Sequence, residues 1–518
     1  MKLTYYRPQW TCGRYNQQKK VALIYNLIEG ISYFFEDYSA IIINKVLCTK
    51  RSQNIKIDEI IDSLPFSEEE VTTFLDELVS YGILLKNTPN DSFTKKYRER
   101  IVLQRKNNSN LPLPNIDKNN NAERAYSKAC GDNCIGSVMF ELTYRCSEQC
   151  IHCYNPGATR NSTEKSHRGD RIELTLEEYK KIIDELYETG LYKVCLSGGD
   201  PFSKDIVWEL IEYLYEKELA FDIFTNGLNL TNKVEKLANY YPRLIGISLY
   251  SGIEQVHDYI TRTPGSCKKT LSVIKQCAEF GIPMNIKCCI MLPNLNSYST
   301  VKNIAKQYCA VPQFDLNITD SLEGDKCASK YLRLPSKFME LVLRDKDMPY
   351  YIDASSVTLP EGYSVDLSER ICNAGFDSFC ITPEGYIEPC CAFPLCLGNI
   401  KESPIMEIIN NSKKLKWWRE QRFKNLKDCH KHDYCTFCQL CPGNNYVANG
   451  TPLRPSENNC MLAITRYKLA LKMQKGYDPL CGKKLEEKLA EVNIGNLDLH
   501  REESINYRNS IDRINEVS

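Results

Sequence analysis

Two periods of apolar residues organise this chain. Near the amino terminus, Val21-Ala-Leu-Ile-Tyr-Asn-Leu-Ile and Ile31-Ser-Tyr-Phe-Phe are short runs rich in β-branched and aromatic residues, with Gly30 between them. They predict a β-hairpin. The period then lengthens to that of a helix over Ser39–Leu47 and again over Ile57–Leu64. The clearest helix starts after Ser67, which forms a capping-box pattern with Glu70. Val71, Phe74, Leu75, Leu78 and Val79 then fall on one face, and Gly82 stands where a helix-ending glycine belongs. Ile83-Leu-Leu follows as a strand. A hairpin, three helices and a strand predict a small winged-helix-like α+β domain over residues 1–90.

Residues 91–136 read as a polar, Asn-rich, locally basic linker with Pro112 and Pro114. From 137 to 330 strand and helix patterns alternate. The strands expected are Val138–Leu142, Lys193–Leu196, Phe221–Phe224, Leu244–Leu249, Asn285–Met291 and Phe314–Ile318. Leu174–Gly190 is the best helix, opened by a Thr175/Glu178 capping box. Six such units predict an α/β fold with a parallel sheet, a partial (β/α)6 barrel, whose ligands gather at the carboxyl ends of the strands. Residues 331–371 bridge to a cysteine-rich region at 372–465, and 466–518 form a charged helical tail.

Composition narrows the function. The 518 residues hold 66 Lys plus Arg against 66 Asp plus Glu, a balance that speaks against nucleic acid or a membrane surface as the partner. The third amino-terminal helix is acidic (Glu68, Glu69, Glu70, Asp76, Glu77), the wrong sign for DNA. The opening ten residues lack the apolar run of a signal peptide, and no stretch is long enough to span a bilayer; the expectation is a cytoplasmic protein. In that reducing setting the 25 cysteines point to metal ligation rather than disulfides. Three lie at 146–153 and ten between Cys372 and Cys460.

Cys146-Ser-Glu-Gln-Cys150-Ile-His-Cys153-Tyr154 follows the first barrel strand. Three close thiolates hold three irons of a [4Fe–4S] cluster and leave the fourth open, whereas a structural zinc site takes four protein ligands. The C-x3-C-x2-C loop resembles that of the radical S-adenosylmethionine (SAM) superfamily. The resemblance implies that the open iron takes SAM, whose reductive cleavage yields a 5′-deoxyadenosyl radical. It also implies SAM contacts after successive strands. Ser197-Gly198-Gly199-Asp200-Pro201 resembles the motif for the SAM amino group, with Asp200 where Glu is more usual. Thr225-Asn226-Gly227 follows the third strand, Ser248 the fourth, and Arg262 matches a family arginine that meets the SAM carboxylate. No catalytic acid or base stands out.

The carboxyl-terminal cysteines are similar to the SPASM extension of that superfamily, which holds two auxiliary [4Fe–4S] clusters. Cys380 to Cys390 reads as a hairpin turning at Pro383-Glu-Gly385. The resemblance implies Cys372, Cys390 and Cys441 on one cluster, with Cys380 as a fourth ligand, and Cys429, Cys435, Cys438 and Cys460 on the other. The spacing departs from the commonest C-x2-C-x5-C-x3-C form, which leaves the partition open; Cys391 and Cys396 are spare thiols, and a zinc ribbon at 429–441 is the rival. The first 90 residues are similar to leader-peptide recognition domains, which take an extended peptide at a sheet edge. Together these imply a radical SAM/SPASM maturase of ribosomally synthesised peptides. It would install a crosslink, thioether first, in a precursor peptide with a leader, using a flavodoxin- or ferredoxin-type electron donor. Carbon–carbon or carbon–oxygen crosslinking, epimerisation and sulfatase-type protein oxidation are the enzymatic alternatives, and an iron–sulfur winged-helix regulator the non-enzymatic one.

Overall fold

The computed structural model describes residues 4–62, 64–87, 98–103, 116–131, 134–155, 172–322, 326–353, 366–429 and 431–492. The Asn-rich tract at 106–110, Pro112, Pro114 and the tail beyond 492 lie outside them. The amino-terminal domain contains β1 (Tyr5–Arg7), β2 (Thr11–Asn16), β3 (Val21–Asn26), β4 (Ile31–Glu36), β5 (Gln53–Asn54) and β6 (Leu85–Lys86). The expected hairpin is β3–β4, closed by the Asn26–Ile31 pair, and β2 adds on its other side. β1 sits between β5 and β6 in a second small sheet. Helices Asp37–Cys48, Ile57–Ile61 and Glu68–Ser80 complete the domain, the last with the capping box seen in the sequence.

β3 is buried along its whole length because the sheet is covered on both faces. Ala22 and Ile24 pack on the helices. Leu23 and Tyr25 pack the other way, with Tyr126, Tyr192, Ala220 and Tyr241, against the floor of the second domain. Arg14 there donates to the Tyr187 carbonyl at 2.6 Å, and Arg51 to that of Tyr215 at 2.9 Å.

Within the segment read as linker, the structure places a helix at Ile116–Cys130. Its buried stripe is polar, which hides it from a hydrophobic pattern: Glu123, Tyr126 and Ser127 are all inside. Glu123 pairs with Lys193 and accepts from the Tyr25 hydroxyl at 3.0 Å, while Ser127 bonds the Tyr192 hydroxyl. Tertiary partners replace the water that a solvated linker would have kept.

The second domain is built on a nine-stranded sheet of order β12-β11-β10-β9-β8-β7-β13-β14-β15. β7 (Ser137–Thr143), β8 (Lys193–Gly198), β9 (Ala220–Thr225), β10 (Leu244–Ser248), β11 (Met284–Cys289) and β12 (Val311–Asp315) run parallel in chain order. The six expected units of the partial barrel are present. β12 begins three residues before the predicted strand: Leu316 and Ile318 are buried beyond its end, so apolarity alone drew the boundary too late. β13 (Ser378–Ile381) joins the free side of β7 in parallel, followed by β14 (Tyr386–Glu388) and β15 (Gly398–Asn399), both antiparallel. The cysteine-rich region is thereby stitched onto the first barrel strand.

Strand alternation sorts the barrel. Val138, Phe140, Val194, Leu196, Phe221, Ile223, Ile245, Ile247, Ile286 and Cys288 belong to the hydrophobic core. Their neighbours, among them Glu141, Cys195, Phe224, Gly246, Ser248, Lys287 and Cys289, therefore face the lumen. No helix among the described residues is long and apolar enough to cross a membrane.

Candidate active site and metal centres

The Cys146–Cys153 loop leaves β7 at the carboxyl ends of the strands and is pinned from two sides. Gln149 and Ile151 donate backbone N–H groups to the Thr261 and Ile260 carbonyls, each at 2.9 Å. Gly199 N–H reaches the Thr143 carbonyl at 2.7 Å and Asp200 N–H that of Arg145 at 3.0 Å. A Cβ on Gly199 would lie 2.4 Å from the Arg145 oxygen, and one on Gly198, at φ +119°, equally close to Thr143. The two glycines thus admit the loop's first residues.

Glu148 N–H points at Cys146 Sγ at 3.4 Å and Asn226 Nδ2 at 3.3 Å, while the Cys150 thiol donates to Glu148 Oε2 at 3.4 Å. Burial pushes Cys146 up to about 12, with Asp200, Glu148 and Cys153 adding to the effect. Burial also raises Cys150, helped by Glu148, Cys153 and Cys146. Cys146 and Cys150, both raised by burial and by their neighbours, become thiolates only with positive charge beside them, which an iron–sulfur cluster supplies. Beneath them, burial keeps Glu148 protonated (up to about 8) and His257 neutral (down to about 4), with Oε1 and Nε2 4.0 Å apart and neither atom hydrogen-bonded among the described residues.

The residues expected to meet SAM stand at the carboxyl ends of β8, β9 and β10 and of the helix after β10. Ser197 and Gly198 end β8 and Gly199 to Pro201 follow it; Thr225 ends β9 with Asn226 next; Ser248 ends β10. Arg262, at φ +53°, caps the helix Glu254–Thr261 whose last carbonyls hold the loop. Asp200 is fully buried and accepts from Thr225 Oγ1 at 2.5 Å and Asn229 Nδ2 at 3.1 Å. Its carboxylate locks the second strand's turn to the third's. Tyr154 keeps 37 % of its surface accessible, and its hydroxyl lies within electrostatic reach of Cys391 and Cys380. Sequence reading missed Glu148, His257 and the contact of Asn226 with Cys146. Only the fold brings these together.

The carboxyl-terminal thiols separate into two sets. Cys390, at the end of β14, bears electrostatically on both Cys372 and Cys441. Ala374 N–H faces Cys372 Sγ at 3.4 Å and Asn444 N–H faces Cys441 Sγ at 3.5 Å, the latter as the N-cap of helix Pro442–Asn449. Such N–H groups favour thiolates. Cys429, Cys435, Cys438 and Cys460 line one cavity of about 310 Å³ with His432 and Tyr434. Cys380 lies on β13 with Glu141, Glu388, Cys390 and Cys195 as its charged neighbours, on the barrel side of its set. The Cys391 thiol donates to Cys390, lowering it, and sits near Cys380 and Glu141. The Cys396 thiol donates to the Gly398 carbonyl at 3.9 Å. Among the described residues no three such side chains close on a point as one metal ion requires. A [4Fe–4S] cubane takes such thiols one to each iron.

The sequence itself matches two known families. Residues 140–306 match the radical SAM superfamily, and residues 372–442 match SPASM, an iron–sulfur cluster-binding domain. The chain is 27 % identical to an AdoMet-dependent heme synthase of Methanosarcina barkeri over 60 % of this chain and 93 % of that protein. It is 28 % identical to the antilisterial bacteriocin subtilosin biosynthesis protein AlbA of Bacillus subtilis over 59 % of this chain and 66 % of that one. In fold it resembles Streptococcus suis SuiB, solved with its precursor peptide SuiA, at a TM-score of 0.52 and 16 % identity over 88 % of this chain and 100 % of that one.

Proposed function

Since the chain is a radical SAM enzyme of the SPASM subfamily, with SAM and [4Fe–4S] clusters as its cofactors, we propose that it installs a crosslink, a thioether by first choice, in a ribosomally synthesised precursor peptide. When bound, the cluster and SAM supply a 5′-deoxyadenosyl radical able to take hydrogen from unactivated carbon. Cys146, Cys150 and Cys153 would hold that cluster, and the ends of β8, β9 and β10 with Arg262 would hold SAM. The two carboxyl-terminal sets would hold the auxiliary clusters. The protein's own work is to place the peptide, exclude water and move protons.

One observation carries the peptide reading: the amino-terminal domain. Its edge strand β4 exposes half-buried aromatics beside the helix Glu68–Ser80, with Phe35 edge-on to Phe74 and Tyr33 stacked on Tyr81 at 4.7 Å. An extended leader can add to such an edge. The fold shared with SuiB reaches into this domain, and AlbA is named for bacteriocin biosynthesis. The second reading, a heme precursor as substrate, is favoured by the heme synthase that matches over 93 % of its length. The electron donor would be a flavodoxin or ferredoxin.

The test uses anaerobically reconstituted protein, dithionite, SAM and short peptides encoded beside the gene. Loss of two hydrogen atoms from a peptide, with one cysteine no longer alkylated, is the expected result. Loss of two hydrogens with every cysteine still alkylated selects a carbon–carbon or carbon–oxygen bond. Turnover of a tetrapyrrole with no peptide change selects the second reading.

A further inference from the structure

Lys287 lies in mid-β11 and faces the lumen, level with Ser248 of β10. Its Nζ sits 3.1 Å above the centre of the Phe224 ring. Gly246 makes this possible, because a Cβ there would meet Lys287 Cε and Phe224 at 2.8 Å. No carboxylate or other acceptor bonds this ammonium among the described residues. Asp222 is within electrostatic reach, but Arg243 already holds it, with Nε to Oδ1 at 2.8 Å. The other groups facing Lys287 are thiols: Cys195 from β8, Cys289 from its own strand and Cys391 from the turn after β14. Cys391 also lies near Tyr154, so the amine sits between the SAM-cluster loop and the first auxiliary set.

We infer that Lys287 is the base that takes the proton from the substrate cysteine thiol, an inference that rests on the thioether reading above. Joining C–H and S–H into C–S releases a hydrogen atom, a proton and an electron. The hydrogen atom goes to the deoxyadenosyl radical and the electron to an iron–sulfur cluster. The proton needs a protein acceptor: the S–H bond breaks, its electron pair stays on sulfur, and an N–H bond forms on Nζ. Burial lowers the Lys287 amine from its ordinary 10.5, which favours the neutral form that can accept a proton. An ion pair would fix the lysine as a cation; among the described residues this one has only the Phe224 ring face and no carboxylate partner.

Two measurements on the cluster-loaded enzyme test this. In the first, acetic anhydride labelling across pH is read by mass spectrometry with free Nα-acetyl-lysine as reference. Lys287 should label with a midpoint below the reference; a midpoint at or above it overturns the inference. In the second, Lys287→Gln and Lys287→Arg are assayed with the cysteine-containing precursor peptide. Both should still form deoxyadenosine, which shows a folded, loaded site, while crosslink formation falls roughly a hundredfold or more and recovers in part as pH rises. Arginine keeps the charge but cannot accept a proton, so a Lys287→Arg enzyme crosslinking within a few-fold of wild type would reduce Lys287 to a charge clamp and overturn the inference. Failure of the thioether reading shows instead in the wild-type arm, as a product whose cysteines all still alkylate.

Discussion

The floor and the mouth of the barrel bury similar groups and treat them oppositely. At the floor, where the strands begin, the buried carboxylates Glu123 and Asp222 meet Lys193 and Arg243, and the buried Arg7 of the amino-terminal domain meets the half-buried Glu218. At the mouth, burial raises Cys146 and Cys150, keeps Glu148 protonated and keeps His257 neutral, and among the described residues none of the four has an ion-pair partner that restores its charge. A satisfied network fixes geometry; an unsatisfied one is a place for a charged guest. The floor ties the amino-terminal domain and the helix Ile116–Cys130 to the barrel. The mouth is shaped for a cluster and its substrate.

Four measurements would break or sharpen that contrast. The largest effect belongs to the mouth: Cys146→Ala should abolish deoxyadenosine release from SAM under dithionite and remove about four of roughly twelve irons per chain, counted at four per cubane. Retained SAM cleavage would dissolve the assignment. At the floor, Glu123→Ala should leave Lys193 unpaired inside the protein and cost about 3–5 kcal/mol in chemical denaturation, with deoxyadenosine formed per folded molecule unchanged. A smaller effect is expected from Asn226→Ala. Losing its bond to Cys146 Sγ should make the SAM-binding cluster harder to reduce, since a donor favours the more negative state; a redox titration followed by electron paramagnetic resonance reads this.

The smallest effect is a pH dependence of the floor. Burial pushes Glu123 up, but Lys193 and Arg243 outweigh it and hold its carboxyl below the ordinary 4.5. Its ionised form therefore favours the folded state, a contribution present above about pH 4.5 and lost as pH falls through the lowered value. The stability gap between wild type and Glu123→Gln should narrow in acid. A gap that widens would mean that the carboxylate is strained rather than paired.

Much of the site was legible because its chemistry is local. Cys146, Cys150 and Cys153 lie within eight residues of one another, and each SAM contact implied by the family resemblance stands at the end of its own strand or helix. The capping boxes at Ser67 and Thr175 likewise involve residues three apart and appear as expected. Cys372, Cys390 and Cys441 were grouped by family resemblance, and the fold brings them together from distant segments.

The sequence by itself determined the six-unit barrel, the amino-terminal hairpin and helices, and the cluster loop. Each is written in a period or spacing that short-range geometry enforces. Only the tertiary structure decided that the polar stretch Ile116–Cys130 is a helix, that β13 extends the barrel sheet, and that Glu148 faces His257 and Lys287 faces thiols. Those outcomes depend on partners tens to hundreds of residues away. Whether a polar side chain is solvated, paired or left waiting is settled by what the fold packs against it.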